Sequence, residues 1–273
     1  MTEPSTTESA RTTTAPRLIV LDLDGTLLDD AGEVSARNAA ALRRAEEDGA
    51  RVVIATGRPP RWLEHLRSDI PATIAVCCNG GVVMDLDESA VIAAYPLDGA
   101  TLLRAITGLR ASGVRFAVAT EGLPGVDLTA EESFPARGDR VVPRASLAEL
   151  CSGTVVKLLV RPEPGEGPAV VQFFARDFGT DFTLTRSTND GLIEISAAGI
   201  TKGAVLDGLA RQWGISADQA IAFGDMPNDI EMLRWAGHSV AMGNADDAVK
   251  AITTEVAGDH DRSAVAEVLE RWF

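Results

Sequence analysis

The chain has 273 residues, of which 45% are hydrophobic and 24% charged. That composition fits a globular protein with a core large enough to need neither disulfides nor structural metal, and it excludes disordered, collagen-like and rod-like chains. The net charge of −15 argues against a general nucleic-acid binder or a protein of anionic membrane surfaces, but not against a small phosphorylated ligand held in a local cationic pocket. No apolar run approaches the roughly 20 residues of a membrane helix. The three cysteines, Cys77, Cys78 and Cys151, form no CxxC pair and suit a reducing compartment. Residues 1–16 are rich in Ser and Thr, lack an apolar signal-peptide core, and read as a flexible tail. The expected location is the cytoplasm.

After the tail, short apolar runs alternate with helical stretches. Arg17–Leu21, Arg51–Ala55 and Thr73–Cys77 read as buried strands. Between them, Ser35 caps a predicted helix that ends at Gly49, and Pro59-Pro60 starts another that runs to about Ser68. The strand–helix rhythm implies right-handed parallel crossovers and a sheet covered on both faces. It returns late in the chain with a helix over Thr201–Trp213, a strand over Ala220–Gly224, a helix over Pro227–Ala236, a strand over Ser239–Met242 and a terminal helix. In between, strand candidates Val114–Thr120, Val155–Arg161 and Asp181–Arg186 flank helices over Asp98–Ser112 and Pro168–Phe178, with a loop-like stretch at Gly122–Arg144. The expected division is a tail (1–16), a core in two halves (17–82 and 189–273) and an α+β domain inserted at 83–188.

Four motifs fall at the carboxyl ends of the predicted core strands or at a helix start. Asp22-Leu23-Asp24-Gly25-Thr26 places two carboxylates directly after the first strand, at the sheet edge where open α/β folds bind ligands. An Asp-Gly turn would look similar, and an EF-hand reading fails because Leu27 stands where that loop needs glycine. Thr56-Gly57-Arg58 offers a hydroxyl at a strand end, although a local turn would use it equally well. Lys202 is one of only three lysines and sits in the first turn of a helix, where the macrodipole disfavours it; neutralising a phosphate would be a reason for it to be there. Gly224-Asp225-Met226-Pro227-Asn228-Asp229 returns carboxylates to a strand end. Together the motifs supply acids that can hold Mg²⁺, with a hydroxyl and an ammonium that can hold phosphoryl oxygens, the combination phosphoryl transfer requires.

These residues, in this order, resemble the haloacid dehalogenase-like superfamily of phosphohydrolases, and the large insertion resembles the cap of its Cof-type, class IIB branch. Asn79-Gly80 and Met242-Gly243-Asn244-Ala245 are further echoes; Ala197-Ala198 and His260-Asp261-Arg262 depart from the usual pattern. The resemblance implies a Rossmann-like doubly wound parallel core with an inserted α+β cap. It implies Asp22 as a nucleophile forming an aspartyl-phosphate and Asp24 as acid, then base. Mg²⁺ would be held by Asp22, Asp24, Asp225 and Asp229, and Thr56 and Lys202 would hold the transferring phosphoryl group. Gly57, Arg58, Asn79 and Asn228 are candidates for substrate contacts. The expected activity is hydrolysis of phosphomonoesters of small metabolites, sugar phosphates or phosphorylated cofactors; a phosphomutase or a non-catalytic metabolite-binding protein are the alternatives.

Overall fold

Strands β1 (Leu18–Leu21) and β2 (Arg51–Ala55) are apolar nearly throughout because both faces of their sheet are covered. The computed structural model describes residues 14–123, 125, 127–135, 142–186 and 190–273; most of the expected tail lies outside them. Between these strands runs α1 (Ala36–Glu47), whose Ser35 side chain accepts from the Asn38 N–H as an N-cap. Two short 3₁₀ turns, Pro60–Trp62 and Glu64–Leu66, replace the helix expected after Pro59-Pro60 and lead to β3 (Ile74–Cys77). A hairpin follows, β4 (Val82–Asp85) and β5 (Ala90–Ala94).

The middle of the chain carries α2 (Gly99–Ala111), β6 (Phe116–Gly122), β7 (Asp127–Ala130), α3 (Leu147–Ser152), β8 (Val155–Pro162), α4 (Gly167–Asp177), β9 (Phe182–Thr185) and β10 (Ile193–Ala197). The last part carries α5 (Lys202–Gln212), β11 (Ala220–Gly224), α6 (Ile230–Trp235), β12 (His238–Ala241), α7 (Asp247–Lys250), β13 (Glu255–Val256) and α8 (Ala264–Leu269).

The strands form two sheets. The first has the order β13-β12-β11-β1-β2-β3-β4-β5, parallel from β13 to β3 and antiparallel at β4 and β5. Leu42, Val265 and Leu269 of α1 and α8 pack on one face of it. Leu206 and Met232 of α5 and α6 pack on the other. The second sheet is antiparallel, with the order β7-β6-β8-β10-β9, and α2 and α4 cover one of its faces through Leu102, Ile106, Val170 and Phe174. A doubly wound, mostly parallel core and a separate α+β sheet are therefore as the sequence implies.

The sheet membership differs from the expected boundaries at 82/83 and 188/189. β4 and β5 hydrogen-bond into the core sheet, and β10 pairs with β8 and β9 in the second sheet. The chain thus passes between the sheets after Ala94 and after Ala197. The expected boundary at 188/189 itself lies outside the described residues. Asp127–Ala130, read as loop, is an edge strand paired to β6.

Candidate active site

At the carboxyl end of β1 the chain turns sharply, and Gly25 makes this possible. Its φ is +75°, and a Cβ there would stand 2.4 Å from Asp225 Oδ2. The turn brings Asp22 beside Asp225 and Asp229 from the end of β11. One carboxylate oxygen from each of the three lies within 4.8 Å of the others, and all three residues are buried.

Lys202, fully buried at the start of α5, donates to Asp22 Oδ1 at 2.6 Å and to Asp229 Oδ1 at 2.6 Å. Asp229 Oδ2 accepts the backbone N–H groups of Asp225 (3.1 Å) and Met226 (3.0 Å). Thr26 Oγ1 donates to Asp225 Oδ1 at 3.1 Å. Asn244, on the loop after β12, donates to the Gly25 carbonyl at 2.8 Å, and its own Oδ1 accepts from the His260 N–H. The departure from the family pattern at 260–262 therefore lies directly behind the turn at Gly25.

Charge balance sets the titration of this cluster, because three carboxyl groups share one ammonium. Burial pushes Asp22 well above the usual carboxylate range; Lys202 pulls it down, while Asp229 and Asp225 push it further up. Burial, with Asp229 beside it, pushes Asp225 up to about 7 against the hydrogen bond from Thr26. Burial works against the charge on Lys202, yet Asp22 and Asp229 raise its pKa above the usual lysine value. Such an excess of buried negative charge calls for a cation, and the all-oxygen donor set suits a hard divalent ion such as Mg²⁺.

The other expected residues occupy several layers. Asp24 points outward, with 60% of its side chain exposed, and forms a two-pronged pair with Arg58 at 2.6 and 2.8 Å. Thr56 is buried and its Oγ1 accepts the Arg58 N–H at 3.1 Å, the local-turn use of this hydroxyl. Gly57 and Asn228 line the cavity above Asp22. Asn79 lies behind that lining in a left-handed conformation (φ 56°), accepting from Asn228 Nδ2 at 3.0 Å and donating to Glu194 Oε2 at 2.9 Å.

That cavity encloses about 790 Å³ between the two sheets, and both Asp22 and Asp24 open onto it. The second sheet contributes charged side chains that the motif reading does not single out. Lys157, in the middle of β8, donates to the Gly57 carbonyl at 2.7 Å and to Glu194 Oε1 at 2.6 Å. Arg61 and Glu121 form a two-pronged pair at 2.6 and 3.0 Å. One signal was available in the sequence: Lys157 interrupts the apolar run VVKLLV, where a buried ammonium needs partners.

A sequence model described as haloacid dehalogenase-like hydrolase matches residues 19–269. The pyridoxal phosphate phosphatase YbhA of Escherichia coli is 31% identical over 274 residues, covering 93% of this chain and 97% of that protein. The 5-amino-6-(5-phospho-D-ribitylamino)uracil phosphatase YitU of Bacillus subtilis is 28% identical over 270 residues, covering 95% and 98%. In fold, a solved sugar phosphatase of haloacid dehalogenase subclass IIB superposes with a TM-score of 0.79 at 23% identity, covering 93% of this chain and 98% of that one. With four motifs at one sheet edge and a family match across nearly its whole length, the chain belongs to the haloacid dehalogenase-like hydrolases, as a phosphatase of the Cof-type, class IIB branch.

Proposed function

We propose that the chain is a Mg²⁺-dependent phosphatase that hydrolyses phosphomonoesters of small metabolites through an aspartyl-phosphate on Asp22. The observation that carries this reading is the buried Asp22–Lys202–Asp229 array, with Asp225 beside it, at the floor of a cavity. Asp22, Asp225 and Asp229 would hold the metal, with Asp24 alongside. When bound, the ion supplies positive charge to the cluster and to the phosphoryl oxygens.

The chain's own residues account for the rest. Lys202 fixes Asp22 through Oδ1 and keeps its charge close to the phosphoryl group. Asp22 attacks phosphorus; the bond from phosphorus to the ester oxygen breaks and the bond to the Asp22 oxygen forms. Asp24 gives its proton to the leaving alkoxide, then takes one from the water that attacks the aspartyl-phosphate, so that inorganic phosphate leaves and Asp22 is regenerated. In this conformation Asp24 is turned to Arg58, so the proton transfer requires that pair to open. Gly57, Arg58 and Asn228 line the cavity where the phosphoryl end would sit, Thr56 would help Lys202 hold the phosphoryl group, and Asn79 would act by holding Asn228.

Phosphate release from acetyl phosphate and from simple alkyl phosphates tests the reading. It is expected to require added Mg²⁺, to stop with excess chelator and to vanish in a folded Asp22→Asn variant. Full turnover in chelator, or in that variant, overturns it.

A further inference from the structure

The wall that the second sheet presents to the cavity is graded. Alternation along β8 sends Lys157, Leu159 and Arg161 toward the cavity and Leu158 and Val160 into the helix-covered core. Nearest the core domain stands a charged layer: Lys157 on Gly57 and Glu194, and Glu121, opposite Lys157 in the register, on Arg61. These groups hold one another across the passage to Asp22. One step further along β8 the wall becomes apolar. Leu159 joins Phe134 and Leu192 in a small hydrophobic cluster, with Leu128 and Val142 packed against it, and all five line the cavity. The residue across from Leu159 on β6 is Ala119, and Ala117 lies beyond it; both belong to the same cluster and keep that wall low. Along β8 the next polar side chain is Arg161, which donates to the Asp190 carbonyl at 2.7 Å and to its carboxylate at 3.1 Å; Asp127 of β7 also lines the cavity.

We infer that this chamber selects phosphomonoesters whose alcohol carries a flat, largely apolar ring, heteroaromatic where its far edge meets Arg161, over those whose alcohol is a polyhydroxylated chain or sugar. The inference rests on the phosphatase reading above. A ring face exchanges water for five apolar side chains, a favourable transfer. A polyol in the same place strips its hydroxyls of water against those five side chains, which offer no replacement hydrogen bonds, and this penalises it. The volume matches the roughly 300–1,000 Å³ typical of sites for ligands of this kind.

The test compares kcat/KM for benzyl phosphate and glucose 6-phosphate, both esters of a primary alcohol, with acetyl phosphate as a ring-free reference. Benzyl phosphate is expected to exceed glucose 6-phosphate by at least about tenfold, most of it in KM, the scale apolar pockets reach per group. Leu159→Asn and the half-buried Leu128→Asn are each expected to cut that ratio at least about threefold. Should Leu159→Asn fail to fold, Leu128→Asn decides. Glucose 6-phosphate turned over as well as benzyl phosphate, or an unchanged ratio in a folded variant, overturns the inference while acetyl phosphate hydrolysis leaves the phosphatase reading standing. Absence of turnover on all three overturns both.

Discussion

Among the described residues, Lys202 is the single cation inside a nest of three acids, and its removal should be felt first in stability. Lys202→Met leaves Asp22 and Asp229 facing each other without their shared partner. Breaking a buried pair by removing one member costs about 3–5 kcal/mol. Urea titrations should show that loss, and added Mg²⁺ should recover part of it by binding only the folded state. The same cluster sets a pH dependence. Asp225 titrates at about 7 when folded against 3.8 as its ordinary value, so between those limits the folded chain holds a proton that the unfolded chain has released. Without a cation, stability should therefore fall as the pH rises through that window. A cation takes the place of that proton, so the gain in melting temperature from Mg²⁺ should be larger at pH 8 than at pH 5.5. A gain that is larger in acid would remove the carboxylates from the metal site.

The strands and helices that carry the motifs were legible because each has a strong local signal. β1, β2, β3 and β11 are short apolar runs that end in the motif residues, and Ser35 and Gly49 bracket α1 as capping chemistry requires. The hairpin β4–β5 and strand β10 were missed for a different reason. β10 alternates properly, with Ile193 and Ile195 inward and Glu194 and Ser196 between them, but nothing in a period of two says which sheet a strand will join. The partners that decide it, β8 and β9, are set by tertiary pairing. At the site, motif spacing located Asp22, Lys202, Asp225 and Asp229 but could not show that Thr56 turns back on Arg58 or that Asn79 lies behind Asn228. The turn at Gly25 gives a prediction at this scale. Gly25→Ala places a methyl group against the Asp225 carboxylate in a backbone conformation that disfavours any side chain. Displacement of that carboxylate by about 1 Å should lower kcat about 100-fold, measured on a protein whose circular dichroism is unchanged.

Across the whole molecule, the two sheets meet through buried polar groups as well as apolar ones. Lys157 and Glu194 from the second sheet reach Gly57 and Asn79 of the first, and Asn79 passes the contact on to Asn228. The inserted sheet therefore helps to hold the loops around Asp22, beyond forming a wall for the leaving group. The segment Gly122–Arg144 is different in kind. Its described part supplies Asp127, Leu128, Phe134 and Val142 to the cavity but no hydrogen bond to those loops. Replacing it should change which alcohol is accepted while acetyl phosphate is still hydrolysed, whereas Lys157→Met should slow every substrate. Equal effects of the two changes across a substrate panel would dissolve this distinction.

The adjacent thiols at the end of β3 turn that junction into something that can be timed. Cys78 is fully buried in the cluster that also contains Val156 of β8, and burial pushes its pKa up to about 12, so at neutral pH it is an unreactive thiol sealed under the inserted sheet. A disulfide reagent reaches it only when the sheets part. The labelling rate of Cys78 in a Cys77→Ala, Cys151→Ala background is therefore a clock for opening events, readable without any substrate. It should run slowly in the resting protein, faster in Lys157→Met, and slower still when a phosphate analogue and Mg²⁺ hold the two halves together.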